Sequence, residues 1–376
     1  MRPNCPICAR RPFFACDPPP FATVPGAMLA QRFTVRYCPH CDFYWNDSAS
    51  GAADYERYYL GANKHHARNE QARRLDGAYF RRVQRRIVAA RPVRSILDYG
   101  SGDLQFEALA RERGIACSSF DVGAPSIGRK FDAIACLHAM EHFYSLDTAF
   151  GHFRAGLRPG GLLYIAVPDA AGYERTYYGA FNALDLEHIN HFTTASLCAL
   201  ARTHGFDVLR SGRADRPVTA TVDYPETWVL AQRSARRVAA PAATRAPARS
   251  SLATFSAYCE RSAREFDALL GWYRARRSAG RGRQLVLYGL GSPALRLLAA
   301  LPEASLPDVL ADGGKAFRGV DVAGRPVVEI SARGTHWDAN ATVLVVAVHW
   351  RAIVEFLAAQ GVPSKRIEVF EWGRAA

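Results

Sequence analysis

Ile96-Leu97-Asp98-Tyr99-Gly100-Ser101-Gly102-Asp103 decides how the rest of the chain is read. An apolar run of strand type carries an acid near its end and passes into a glycine-rich turn. Leu104-Gln105-Phe106-Glu107-Ala108-Leu109-Ala110-Arg111 follows with helical spacing. Strand, Gly-x-Gly turn and helix form a loop whose backbone can come close to a nucleotide-type ligand, because glycine has no Cβ. A dinucleotide fingerprint needs a third glycine or alanine at position 105 and sets phosphates on the helix N-terminus. Gln105 stands there instead.

An acid just before the turn suits a cationic ligand. S-adenosylmethionine (SAM) carries an ammonium and a sulfonium and no phosphate, so the loop reads as a SAM site and the chain as a methyltransferase. Asp98, Tyr99, Gly100, Ser101 and Gly102 are the expected contacts. The next strand, Ala116 to Phe120, ends in Asp121, 23 residues after Asp98, where an acid can accept hydrogen bonds from ribose hydroxyls. A third strand, Phe131 to Leu137, would bring Leu137 and His138 beside the adenine, with Glu141-His142 opening the following helix. Leu157 to Gly161 reads as a turn before a buried strand that runs to Pro168.

The chain has 376 residues, enough for two or three domains. Its 49% hydrophobic and 22% charged residues are ordinary for a globular protein. No apolar run reaches the roughly 20 residues that cross a bilayer, and the first residues lack an apolar signal core, so a cytoplasmic location is expected. The formal charge of +13 is spread along the chain as arginines, without a compact run interleaved with aromatics. Solvated helix faces explain it better than a nucleic-acid surface.

Nine cysteines in a chain of this length do not indicate a disulfide framework. Four fall in two C-x2-C pairs, Cys5-Pro6-Ile7-Cys8 and Cys38-Pro39-His40-Cys41. Two such pairs can close a tetrahedral thiolate site around structural Zn²⁺. The polar and aromatic stretch from Tyr55 to His66 reads either as a lid over the substrate, with Tyr59 as a contact, or as a connector. Residues 67–90 form an amphipathic helix by spacing.

Asn182 to Thr193 gathers Asp185, Glu187, His188 and His191 before a helix starting near Thr194. An imidazole with an ordinary pKa of about 6.5 can take a proton near neutral pH, and a neighbouring carboxylate can fix its tautomer. Residues 234–250 are rich in Ala, Pro and Arg and read as a linker. A long helix over 251–278 follows. Tyr288-Gly289-Leu290-Gly291-Ser292 then opens a second strand–turn–helix, a nucleotide loop or a purely structural turn.

In this order the parts resemble the bacterial SAM-dependent sugar C-methyltransferases. Asp98 to Asp103 looks like that family's first SAM motif, with Leu104 in place of a further glycine, and Asp121 like its ribose acid. Met140-Glu141-His142 resembles the family's Glu-His after the fourth strand, and Glu187-His188 the pair carrying its base. The resemblance implies an α/β architecture. A class I SAM methyltransferase sheet, doubly wound, is flanked by an N-terminal zinc module and a C-terminal Rossmann-like domain. The expected ranges are 1–60, 61–234, 235–280 for linker and helix, and 281–376. It implies that His188 takes a proton beside a carbonyl of a nucleotide-linked keto sugar, with Glu187 orienting it; His191, in the same run, is a third catalytic candidate. Tyr59, Asp185, Gly291 and Ser292 would contact this substrate, and Cys5, Cys8, Cys38 and Cys41 would hold zinc. Asp185 stands where the sugar enzymes carry a tyrosine, which leaves O- or N-methylation of another small metabolite open. A monomer or homodimer is expected.

Overall fold

The computed structural model describes residues 2–61, 70–102, 104–121, 127–176, 178–218, 222–234, 250–280, 282–314, 317, 319–329, 338 and 340–373. Asp103, the end of the Tyr55–His66 stretch, the first residues of the 67–90 helix and most of the 234–250 linker lie outside these.

In chain order come β1 (Phe13–Cys16), β2 (Phe33–Cys38), β3 (Phe43–Ser48), α1 (Ala52–Gly61) and α2 (Glu70–Ala90). Next are β4 (Ser95–Tyr99), α3 (Gln105–Glu112), β5 (Ala116–Phe120), β6 (Phe131–Leu137), α4 (Leu146–Gly156) and β7 (Leu157–Pro168). The two-residue β8 (Asn190–His191), α5 (Thr194–Thr203), β9 (Phe206–Pro217) and β10 (Asp223–Arg233) follow. The C-terminal part holds α6 (Leu252–Ala279), β11 (Leu285–Tyr288), α7 (Ser292–Ala300), β12 (Val309–Ala311), β13 (Asp321–Val322), β14 (Arg325–Val328), β15 (Thr342–Val345), α8 (Trp350–Ala359) and β16 (Ile367–Val369).

The chain divides into two units made of interleaved segments, not consecutive ranges. The first comprises Met1–Cys16, Thr34–Thr176 and Glu187–Ser256; the second comprises Asp17–Phe33, Tyr177–Leu186 and Ala257–Ala376. The early and middle segments of the second unit are tied to its C-terminal residues by hydrogen bonds. Ala22 N donates to Leu295 O at 2.9 Å, Ala323 N to Thr23 O at 3.0 Å and Ala183 N to Tyr258 Oη at 2.9 Å. Arg296, 1% exposed, donates to the carbonyls of Pro19 and Leu184.

The first unit is built on a six-stranded sheet ordered β5-β4-β6-β7-β10-β9. The first four strands are parallel, and β10 and β9 are antiparallel. Parallel strands covered on both faces need near-continuous apolar runs, and β4, β6 and β7 supply them. Ile96, Ala133, Ala135 and Tyr164 meet Tyr79, Val83 and Ile87 of α2 and Phe106 of α3 on one face. Leu97, Ile134, Cys136 and Ile165 meet Phe150 and Phe153 of α4 and Leu197 of α5 on the other.

Leu157 to Gly161, expected as a turn, is a bulge within β7: Phe131 pairs with Leu157, then Ala133 with Leu162. Glu141-His142 does not open a helix. Met140–His142 is a single 3-10 turn, and α4 begins later, capped by the Ser145 side chain, which accepts from Thr148 N.

A second sheet in this unit has the order β1-β2-β3-β8. It has little core of its own. Cys5, Cys38, Cys41, Phe43 and Trp45 belong to the same apolar cluster as Leu97, Ile134 and Phe192. The second unit carries a sheet ordered β13-β14-β12-β11-β15-β16, in which only β13 pairs antiparallel. The architecture is thus α/β with mixed sheets.

Candidate active site

The turn after β4 folds as its glycines require. Gly100 has φ +80° and donates to Phe120 O at 2.8 Å, which ties the turn to the end of β5. A Cβ at Gly100 would stand 2.6 Å from the Ala139 Cβ, whereas one at Gly102 would meet nothing within 4 Å. Gly102 therefore leaves the open side of the turn free for a ligand. Leu104 adopts φ 62° at the start of α3.

A cavity of about 480 Å³ opens beside this turn. Tyr99, Gly100, Phe120 and Asp121 line it together with His142, Phe143, Tyr144, Thr148 and His152. Tyr55, Glu56 and Tyr59 of α1 line it too, so the described part of the Tyr55–His66 stretch borders the cavity. Tyr99 Oη is 2.8 Å from His152 Nδ1, and Tyr99 stacks on Phe120 at 4.9 Å between centroids. Aromatic walls with carboxylates at Asp121 and Glu56 favour a flat base and a positive charge. These residues fit the adenosine and sulfonium of SAM.

Of the expected donor contacts, Tyr99, Gly100 and Asp121 line the cavity. Asp98 is 3% exposed within the sheet, paired in register with Ser119 and Ala135. Ser101 and Gly102 continue the turn. Leu137 ends β6, and His138, with φ 50°, is engaged by two carboxylates: Nε2 lies 3.0 Å from Glu226 Oε2 and Nδ1 3.6 Å from Glu141 Oε1.

The segment from Glu187 to His191 is fixed between the two sheets of the first unit. β8 pairs with β3, setting Tyr44 opposite His191 and Trp45 opposite Asn190. Asn46 N donates to Ile189 O at 3.0 Å, and Asn46 Nδ2 to His188 O at 3.1 Å. On the other side Ile189 N donates to Glu141 O at 2.9 Å, while Asn190 Nδ2 donates to Met140 O at 3.0 Å and Phe143 O at 2.8 Å. The cysteine-bearing sheet thereby holds Glu187 and His188 against the turn after β6.

Within this frame Tyr58 donates to the Glu187 carboxylate, and Tyr59 Oη donates to Glu187 O at 3.4 Å. His142 Nδ1 is 3.1 Å from Glu187 O, a bond in which the imidazole must donate, so Nε2 keeps the lone pair. The His142 and His188 rings pack edge to face at 4.8 Å between centroids. Glu141 is 1% exposed. Burial alone would raise its pKa, but the imidazoles of His138, His142 and His188 outweigh it and hold the pKa down at about 2.

His191, expected beside the base, is instead a tether. It is fully buried, with Nε2 3.0 Å from Asn46 Oδ1 and Nδ1 3.1 Å from Tyr173 Oη. Both nitrogens are engaged, and burial, aided by the nearby His188, lowers its pKa from 6.5 to about 3. It has no lone pair left for a substrate proton. His142, which the sequence marks only as part of a Glu-His pair after β6, lines the cavity. Its contact with the Glu187 carbonyl is made only by the fold.

Cys5, Cys8, Cys38 and Cys41 come together with their sulfurs within 4.8 Å of one another, and Cys8 and Cys38 Sγ are 3.6 Å apart. Tetrahedral zinc with bonds of about 2.3 Å would set sulfurs about 3.8 Å apart. Both pairs turn in the same way: the residue after each, Ala9 at φ 57° and Asp42 at φ 53°, is left-handed. Asp185, Gly291 and Ser292 belong to the second unit. There Gly289 has φ +86°, Gly291 begins α7 with Pro293 in its first turn, and Asp312 accepts from Leu290 N at 2.6 Å and Gly314 N at 2.6 Å.

Residues 69–211 match the family model described as a methyltransferase domain. The chain therefore carries a SAM-dependent methyltransferase domain over that range. No curated protein matches the chain significantly. Solved structures similar to it include the Burkholderia thailandensis 1,6-didemethyltoxoflavin-N1-methyltransferase with S-adenosylhomocysteine bound (16% identity, 54% of this chain and 96% of that one, TM-score 0.35). Magnesium protoporphyrin IX methyltransferase from Synechocystis PCC 6803 is another (17% identity, 48% and 94%, TM-score 0.32). A third is the N-methyltransferase NodS from Bradyrhizobium japonicum WM9 (15% identity, 43% and 97%, TM-score 0.30).

Proposed function

We propose that this methyltransferase alkylates carbon in a small-molecule acceptor, a nucleotide-linked keto sugar or a related keto metabolite. The observation that carries the reading is the cavity itself. Its glycine turn and Asp121 suit the donor, and its lining includes His142, packed on His188 beside Glu187 and Tyr58. A proton leaving the carbon next to a carbonyl goes to the Glu187–His188 pair. The enolate carbon then attacks the methyl in line, and the electron pair of the breaking S–CH₃ bond stays on sulfur. Holding both reactants in one closed space supplies much of the acceleration.

Zn²⁺ at Cys5, Cys8, Cys38 and Cys41 belongs to this reading as a structural ion; four thiolates leave no open position for chemistry. The Gly289–Ser292 turn of the second unit, with its left-handed glycine and Asp312 after β12, is by itself a candidate nucleotide-binding turn. The test is exchange in deuterium oxide. A nucleotide-linked keto sugar is incubated with the enzyme and S-adenosylhomocysteine and followed by proton NMR. Deuterium should enter next to the carbonyl. Methyl transfer from SAM to oxygen or nitrogen with no such exchange contradicts the proposal.

A further inference from the structure

We propose that Glu141, His142 and His188 form a second metal centre, holding a divalent transition-metal cation beside the cavity that His142 lines. Among the described residues these three and the four cysteines are the groups whose side chains converge as metal ligands do. One donor atom from each of the three lies within 4.8 Å of the others. A small inward adjustment sets them around an ion with bonds of about 2.0–2.2 Å.

Independent observations point to a ligand. Glu141 is 1% exposed, yet its Oε2 has no hydrogen-bond partner among the described residues. The buried Nδ1 of His188 has none either. Buried polar atoms are seldom left unmatched without a reason. His142 shows the outer-shell arrangement of a metal-binding imidazole: one ring nitrogen donates to a backbone carbonyl and the other keeps its lone pair. Ile189 N on Glu141 O and Asn190 Nδ2 on Met140 O hold the two contributing segments together before any ion arrives.

Two imidazoles and one carboxylate suit Mn²⁺, Fe²⁺, Co²⁺ or Zn²⁺ better than the oxygen-seeking Mg²⁺ and Ca²⁺, and they leave positions open for substrate oxygens. The inference rests on the methyl-transfer reading and sharpens it. With the ion on the acceptor's carbonyl oxygen, the adjacent C–H bond breaks, its proton goes to the Glu187 carboxylate, and the electron pair is held as a metal-bound enolate. The new C–C bond then forms as the S–CH₃ bond breaks, releasing neutral S-adenosylhomocysteine. His188 is a ligand in this scheme, and the proton falls to Glu187.

The test uses the full chain carrying one equivalent of zinc, which the four thiolates take first, and titrates it with Mn²⁺, following free Mn²⁺ by electron paramagnetic resonance. Mn²⁺ binds thiolates poorly, so the cysteine group does not compete. One Mn²⁺ per chain is expected. Glu141→Gln and His188→Gln should each weaken it at least about tenfold, with the circular dichroism spectrum and S-adenosylhomocysteine binding unchanged. A wild-type chain that binds S-adenosylhomocysteine but no Mn²⁺, or equal Mn²⁺ affinity in both variants, overturns the proposal alone. Failure to bind S-adenosylhomocysteine would instead sink the methyl-transfer reading.

Discussion

Leu104 sits at φ 62° with 53% of its surface exposed, at the position where the resembled SAM motif carries a further glycine. A left-handed conformation costs a residue with a Cβ roughly 1–2 kcal/mol, and an exposed leucine recovers little of that by packing. Leu104→Gly is therefore predicted to stabilise the protein by about 0.5–1 kcal/mol, after the extra unfolded-state entropy of glycine, as measured by urea denaturation. A loss of stability would show that the leucine packs to some purpose. Such strain was not legible in the sequence, which shows a substitution but not the backbone beneath it. Gly100 and Asp121 were legible, because a glycine turn and a strand-end acid have local chemistry that spacing reveals. The place of His142 was not legible, because its neighbour Glu187 lies far along the chain and meets it only in the fold.

At the scale of elements, β4 and β6 follow their apolar runs, since buried parallel strands advertise themselves. The two-residue β8 has no such signal; its pairing with β3 is a tertiary event. That pairing makes His191 a sensor of acid. Unfolded, it takes a proton near pH 6.5; folded, burial holds it neutral down to about pH 3. The unfolded state thus binds the extra proton between these values. Stability from this residue is intact above pH 6.5 and declines as the pH falls toward 3, at up to about 1.4 kcal/mol per pH unit. His191→Gln should remove one proton from that slope in denaturation curves taken between pH 6.5 and 4. An unchanged slope would mean that the imidazole is not buried as a neutral ring.

Across the whole molecule, the residues fall into two units of interleaved segments. Asp17–Phe33 and Tyr177–Leu186 carry no signature of their own, and only hydrogen bonds such as Ala22 N to Leu295 O reveal where they belong. The arginine excess is partly balanced by ion pairs, buried for Arg216 with Asp76 and more exposed for Arg158 with Asp132 and Arg277 with Asp308. No described helix is long and apolar enough to cross a membrane. A cationic methyl donor is proposed to bind beside the first glycine turn, and titration calorimetry with S-adenosylhomocysteine tests this most directly. One equivalent should bind the wild-type chain, and Gly100→Ala, whose Cβ would fall 2.6 Å from Ala139, should abolish it. No binding of S-adenosylhomocysteine, with a nicotinamide dinucleotide or a nucleoside triphosphate taken up instead and lost in the same variant, would contradict the account.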